Sequence, residues 1–447
     1  LRICNDWLQY DSPSLTMRSL QNFIPRGSKD NVKLREDFSL STERASEAAL
    51  DSGRFDSIDS TGQQDQVSAS VTAIDDHATI GTVFDRAMMQ RCLELARRAL
   101  GRTAPNPLVG AVIVKDGAII GEGFHPQAGQ PHAEVFALRE AGDRARGATL
   151  YVNLEPCNHH GRTPPCSEAV VAAGLAKVVV GMVDPNPKVA GGGIARLQAA
   201  GIEVVTGVEA AACQELNEAF VHRILYHRPF GILKYAMTLD GKIATNSGHS
   251  AWITGQAARA EVFQLRATCD AVIVGGNTVR LDNPLLTSRQ VDGPHPLRVV
   301  MSRTLNLPEE AHLWQTAAAP TLVITEPGVK PEFQALLRHL GVEVVELSPL
   351  TPAQVMTYLY DRGFLSVLWE CGGTLAAQAI ADGAVQKVLA FIAPKIVGGS
   401  TAPSPVGDLG FLTMPQALPL EKLRWRPVGA DLLVEGYLPQ TQVSSLE

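Results

Sequence analysis

Between residues 110 and 393, short β-branched runs alternate with helical stretches, and that alternation constrains the fold more than any other feature of the chain. "ATLYVNL", "AKVVVGMV", "IEVVTGV", "DAVIVGG", "LRVVMS", "PTLVITE", "VEVVEL", "SVLWECGG" and "KVLAFIAPKIV" read as strands. "SEAVVAAG", "IARLQAAG", "GQAARAEVFQLRA", "AQVMTYLYDRG" and the stretch after Thr374 read as the helices between them. Upstream, Met88, Cys92, Leu93, Ala96 and Leu100 recur at helical spacing, with Gly101 as the stop. "LVGAVIVKDGAIIGEGF" predicts a hairpin turned at Lys115-Asp116-Gly117. Such an order predicts α/β architecture with a sheet at the centre of each domain.

A length of 447 residues allows two or three domains. The alternation breaks near Pro229, which divides it into two α/β segments, 85–228 and 229–440, with a tail at 441–447. Residues 1–84 are rich in Ser, Asp, Gln and Thr without an apolar period, so a disordered extension is expected there. That stretch is too acidic for a transit peptide, and Leu1 in place of Met points to processing, a fragment or a translated upstream stretch. It carries eight Lys/Arg against thirteen Asp/Glu, leaving the body near neutral out of a total of −7. A near-neutral body without a basic run argues against binding nucleic acid. No apolar run reaches membrane-spanning length. Seven cysteines scattered over the chain favour a reducing cytoplasm over a disulfide scaffold.

Chemistry concentrates in two motifs. "PHAEVFALREAG" sets His132 and Glu134 at the start of a helix. "EPCNHHGRTPPC" puts Cys157 after a strand and Cys166 at the opening of the next helix, where the N-terminal dipole favours a thiolate. One histidine and two cysteines suit zinc with its fourth position open to water. Glu134, two residues past the histidine, can sit beside that water as the proton carrier. His-x-Glu followed by Pro-Cys and a second Cys is the pattern of zinc deaminases, although eight residues separate these cysteines where two are usual. A structural site closed by His159 or His160, or two buried cysteines without metal, are the competing readings. His125 reads as ordinary surface.

Together, "TAPNPLVGAVIV", "HAE" and "EPCNHHGRTPPC" resemble the deaminase half of the bifunctional riboflavin-biosynthesis deaminase–reductase family, whose own motif has the wider cysteine gap. "KYAMTLDGKIA", "SAWIT", "DNPLLTSR" and "ECGGTLA" resemble the family's reductase half. The resemblance implies a cytidine-deaminase-like α/β/α sandwich followed by a dihydrofolate-reductase-like α/β domain. It implies one zinc per chain on His132, Cys157 and Cys166, with Glu134 catalytic. Asn106, Arg162 and Asn186 would touch a small phosphorylated pyrimidine, although both asparagines also suit turns beside proline. The implied first step releases a ring amino group as ammonia, and the second uses NADPH to reduce a ribosyl chain to ribityl.

No G-x-G-x-x-G or Walker loop marks a nucleotide site. Strand, Gly372-Gly373 and helix would expose backbone N–H groups to a phosphate, and "VIVGGNT" offers a second such turn, although either could be a tight connection. The resemblance puts Ala236, Trp252, Thr278, Asp282, Ser302, Gly372, Gly373, Thr374, Leu375, Ala376, Ala377 and Gln378 near NADPH. It puts Ser250, Arg266, Leu286, Arg289 and Glu370 on the substrate. Guanidinium groups of Arg266 and Arg289 could grip a phosphate, against a solvated helix face and a loop charge. Asp240 and Lys242 suit a turn equally well. A homo-oligomer is expected. The rivals are a reductase with a zinc-stabilised scaffold and a nucleic-acid-editing deaminase with an appended module.

Overall fold

A computed structural model of the chain describes residues 81–159, 164–289 and 293–439, all within the compact unit Ile74–Glu447. The expected disorder of residues 1–80 and the 441–447 tail lie outside the described residues. α1 (Val83–Arg97) opens on a capping box: the Thr82 hydroxyl accepts the Asp85 N–H at 3.1 Å, and the Asp85 carboxylate accepts the Thr82 N–H at 2.9 Å. The first domain therefore begins inside the last residues assigned to the extension. The helix also stops short of Leu100.

β1 (Gly110–Lys115) and β2 (Ala118–Phe124) form the expected hairpin, turned at Asp116 and Gly117, both in the left-handed region. Then follow α2 (Ala133–Ala141), β3 (Thr149–Leu154), α3 (Cys166–Ala173), β4 (Lys177–Met182), α4 (Gly192–Ala199) and β5 (Glu203–Thr206). The sheet runs β2-β1-β3-β4-β5, with β3, β4 and β5 parallel. Gly121 and Gly123 face α2, whereas Gly110 faces α1 from the other side of the pleat. A Cβ on Gly123 would stand 2.3 Å from the Ala133 carbonyl oxygen, so only glycine lets the start of α2 lie this close to β2. Met89, Leu93, Ile113, Leu150 and Val179 close the core between the layers.

α5 (Ala210–Leu216) and α6 (Glu218–Tyr226) form an arm between the two halves. The second half runs β6 (Phe230–Thr238), α7 (Gln256–Thr268), β7 (Ala271–Gly275), α8 (Gly276–Asp282), β8 (Leu297–Met301), β9 (Thr321–Thr325), α9 (Pro331–His339), β10 (Glu343–Glu346), α10 (Pro352–Asp361), β11 (Ser366–Trp369), α11 (Gly373–Ala381), β12 (Lys387–Ala393), β13 (Glu421–Val428) and β14 (Asp431–Tyr437). Its sheet order is β10-β9-β8-β7-β11-β6-β12-β14-β13, with every pairing parallel except the two made by β14, which runs opposite to the rest. From β7 the chain winds outward through β8, and from β11 it winds the other way to β12. The carboxyl ends of β7 and β11 therefore flank a switch point, where open α/β sheets bind ligands.

The arm is bound to the second half. Glu218 accepts from Lys387 Nζ at 3.2 Å and from the Tyr437 hydroxyl at 2.6 Å. Arg223 donates to the carbonyls of Tyr360 and Phe364, with its guanidinium 3.9 Å above the Tyr360 ring.

Candidate zinc site and cofactor cleft

Chain punctuation assembles the first site. His132 is the N-cap of α2 but makes no capping bond, so its ring is free to point elsewhere. Pro165 is the N-cap of α3 and Cys166 its first residue, whose N–H donates to Cys157 Sγ at 3.3 Å. His132 Nδ1 lies 3.3 Å from Cys166 Sγ and 3.6 Å from Cys157 Sγ, and all three atoms fall within 4.8 Å of one another. Zinc bonds of about 2.1 Å to nitrogen and 2.3 Å to sulfur put tetrahedral N and S ligands about 3.5 Å apart. The donor set therefore fits zinc in both chemistry and spacing.

Glu134 is 3% exposed, and its Oε2 has no partner among the described residues. Burial raises its carboxyl above the usual range. Hydrogen bonds from Cys166 and His132 lower the Cys157 thiol, and the bond to Cys157 raises His132. An orphaned, buried carboxylate oxygen beside three ligand atoms is what an open catalytic site requires and a closed structural one does not. His159 is exposed and outside the cluster, and His160 lies outside the described residues.

The expectation for His125 is overturned. It is 2% exposed, its ring stands edge-on to His132 at 5.4 Å, and its nitrogens meet Asn106 Nδ2 and the Pro131 carbonyl, each at 3.0 Å. Burial lowers its pKa. Asn106 thus reaches the metal set through His125. Asn186 sits in a loop where its Oδ1 accepts the Lys188 N–H at 3.0 Å, the turn role open to it. Sequence reasoning missed what holds that loop. Glu155, buried one residue before Pro156-Cys157, accepts backbone N–H groups of Asp184, Gly191, Gly193 and Ile194. Arg162 lies outside the described residues.

In the second half, most of the expected cofactor residues gather at the carboxyl ends of β6, β7, β8 and β11. Gly372 caps α11, and a Cβ on Gly373 would meet the Ser404 carbonyl at 2.6 Å. Leu375 Cδ2 lies 3.4 Å from the Cβ position of Gly275, and Ser302 Oγ 3.4 Å from that of Gly276, so the two glycine turns abut. Thr374 and Gln378 are exposed, whereas Ala376 and Ala377 are buried and offer only helix packing. Ala236 lies on β6, Thr278 and Asp282 on α8, and Asp282 accepts from Ser250 Oγ at 3.0 Å. Trp252 is 67% exposed beneath the Arg259 guanidinium. A Cβ on Gly372 would meet nothing within 4 Å, so the N-terminus of α11 is open to a phosphate such as those of NADPH.

Arg266 is paired and part-buried rather than solvated. Its Nε and Nη2 reach the two Glu370 oxygens at 2.6 and 3.0 Å, its Nη1 donates to the Thr287 carbonyl at 3.2 Å, and Lys234 Nζ adds a contact to Glu370 at 3.3 Å. The Nε–Nη2 edge is paired with Glu370, so Arg266 is not on a solvated helix face. Arg289 is exposed, stacked 4.6 Å over Phe263. Leu286 buries its side chain and holds a left-handed backbone angle. Asp240 is a turn residue, accepting from Thr238 and from the N–H groups of Val397 and Gly398. Arg298 carried no signal. It is fully buried on β8 and donates to the carbonyls of Leu285, His312, Leu313, Gln315 and Ala319.

Residues 82–182 match the cytidine and deoxycytidylate deaminase zinc-binding region, and residues 229–434 match the RibD C-terminal domain. The riboflavin biosynthesis protein RibD of Synechocystis sp. is 64% identical over 80% of this chain and 97% of its own. This chain belongs to the RibD family. A solved RibD of Acinetobacter baumannii is 41% identical and covers 80% of this chain and 99% of its own, with a TM-score of 0.72. A deaminase/reductase of Thermotoga maritima is 38% identical with the same coverage and a TM-score of 0.71. The riboflavin biosynthesis protein PYRR, chloroplastic, of Arabidopsis thaliana is 48% identical over 79% of this chain and 61% of its own. The RibD family assignment carries the fold class, a zinc-binding deaminase domain and an NADPH-dependent reductase domain, in the order the sequence predicts.

Proposed function

We propose that the chain deaminates 2,5-diamino-6-(ribosylamino)-4(3H)-pyrimidinone 5′-phosphate and then reduces the ribosyl chain of the product to ribityl. The supporting observation is the unpartnered Glu134 Oε2 beside His132, Cys157 and Cys166. When bound there, zinc supplies Lewis-acid activation of a water. Glu134 Oε2 takes a proton from the water as its oxygen adds to the ring carbon and passes that proton to the amino nitrogen; the carbon–nitrogen bond then breaks to release ammonia, and the remaining hydroxyl proton moves to the adjacent ring nitrogen to leave the carbonyl. Asn106, held by His125, and Asn186, held in the Glu155-anchored loop, orient the pyrimidine, with Arg162 on the same substrate.

NADPH supplies the hydride of the second step. Gly372, Gly373 and Thr374 present the N-terminus of α11 to its phosphates. Ala236, Trp252, Thr278, Asp282 and Ser302 line its groove. Ser250, the Leu286 backbone and Arg289 meet the substrate, and Glu370 acts by orienting Arg266 and Lys234. Among the described residues no helix is long and apolar enough to cross a membrane, and six cysteines are unpaired, which supports a cytoplasmic, reducing setting. Exposed Leu423 and Trp425 on edge strand β13 support a homo-oligomer in which a second copy covers that edge.

Supplying the diaminopyrimidinone phosphate with NADPH and following ammonia and nicotinamide absorbance together tests both steps. Ammonia release followed by NADPH oxidation is expected. NADPH oxidation without ammonia would leave a reductase with a zinc scaffold.

A further inference from the structure

The Asn106 loop has few means of holding its own shape. Pro105 and Pro107 flank Asn106 and donate no backbone N–H, and residues 102–109 form no helix or strand. The Asn106 N–H closes one turn on the Thr103 carbonyl at 2.7 Å, the Val109 carbonyl accepts the His125 N–H at 2.9 Å, and between these the backbone is tied to two buried amide side chains. Asn153, on β3, donates to the Leu108 carbonyl at 2.9 Å and accepts the Gly110 N–H at 2.8 Å. Asn217 accepts the Leu108 N–H at 2.8 Å and donates to the same carbonyl at 3.0 Å. Asn217 is 2% exposed and does not belong to the deaminase sheet. It is the residue between α5 and α6, and the next residue, Glu218, is bound to Lys387 and Tyr437 of the reductase half.

We propose that Asn217 is a positioning residue of the deaminase site, holding the Asn106 loop from the interdomain arm through Leu108. Two residues before Leu108, Asn106 meets His125, whose ring stands edge-on to that of His132. With Asn217 gone, Leu108 keeps only the Asn153 bond to its carbonyl, and the loosened loop grips the pyrimidine less well while the metal ligands, at the starts of α2 and α3 and in the loop after β3, stay in place. The expected signature is a defect in substrate binding with intact metal, confined to one of the two activities. The inference rests on the deaminase function proposed above.

The test uses the full chain and two variants. Asn217→Ala removes both bonds, and Asn217→Asp keeps the shape and removes the donor. Zinc per chain, kcat and KM for ammonia release, and KM for NADPH-dependent reduction are measured on each. Loss of a buried amide pair predicts a deaminase KM raised about 5- to 100-fold in Asn217→Ala. The same direction is expected in Asn217→Asp, with zinc content and reductase constants unmoved. An unchanged deaminase KM overturns the proposal. So does loss of zinc or of reductase activity in both variants, which would make Asn217 a residue of the fold alone. Should Asn217→Ala be insoluble, Asn217→Asp decides. A wild-type protein that binds zinc and releases no ammonia would overturn the deaminase function itself, a result separable from either.

Discussion

Replacing Glu370 by glutamine takes the only anion from a buried cluster and leaves Arg266 and Lys234 facing each other. The three side chains are 8, 13 and 14% exposed, so water replaces little of what is lost. Removing one partner of a buried pair costs about 3–5 kcal/mol. The Glu370 carboxyl gives a similar scale. Burial pushes it up, Arg266 and Lys234 outweigh burial, and it sits at about 2 against an ordinary 4.5. That difference corresponds to about 3 kcal/mol. Glu370→Gln should therefore destabilise the reductase half by about 3 kcal/mol or more. Lys234→Met should cost less, about 1.5–3 kcal/mol, because Arg266 keeps both of its bonds. Tryptophan fluorescence during urea unfolding reads this directly: Trp369, the preceding residue, is fully buried, and Trp252, Trp314 and Trp425 lie in the same half. Because the folded carboxyl is depressed, its contribution is complete above pH 4.5 and disappears as pH falls through about 2. Glu370→Gln should flatten that acid limb. A loss below about 1 kcal/mol, or a Lys234→Met cost equal to that of Glu370→Gln, would refute the buried-cluster reasoning.

Glu134→Gln should keep stoichiometric zinc and slow ammonia release by about 10²- to 10⁴-fold; zinc loss would make Glu134 a ligand. Cys166→Ser should weaken zinc binding, and unaltered zinc content by metal analysis would mean another third ligand. Arg289→Ala should raise the reductase KM more for the phosphorylated substrate than for a dephosphorylated one, and equal effects would remove it from phosphate recognition. His222, buried between Tyr226 and Phe230, is held at about 4 by burial, with like charge from Arg228 adding. Its contribution is full above pH 6.5 and lost as pH falls toward 4, so His222→Phe should flatten stability across that interval in unfolding titrations.

Residues whose chemistry is written in their type and local position were legible from sequence. His132, Glu134, Cys157 and Cys166 need only a helix start, a strand end and a second helix start to converge, and each is marked by proline, glycine or β-branched runs. Residues whose meaning comes from a distant neighbour were not. His125 follows β2 with no period to signal burial, and its neighbours Asn106, Pro131 and His132 come from other segments of the chain. Arg266 looks the same whether solvated or paired until β11 brings Glu370 to it. α8, seven residues opening on glycine, has little intrinsic helix preference and is held by its packing. The β13–β14 hairpin and α9 did carry signals, a turn at Gly429 and a proline start at Pro331, that the strand–helix count passed over.

Arg298 behaves like an ion dissolved in the protein rather than a partner in a pair. Carbonyl oxygens from Leu285 and the 312–319 segment solvate its guanidinium, with no carboxylate among the described residues bonded to it. Moving the neighbouring stretch, where Asn283, Leu286 and Arg289 hold left-handed backbone angles, would strip that shell from a charge with no route to water. The 283–289 stretch, which ends in Arg289, is thereby held in shape by a charge buried on the neighbouring strand rather than by contacts of its own.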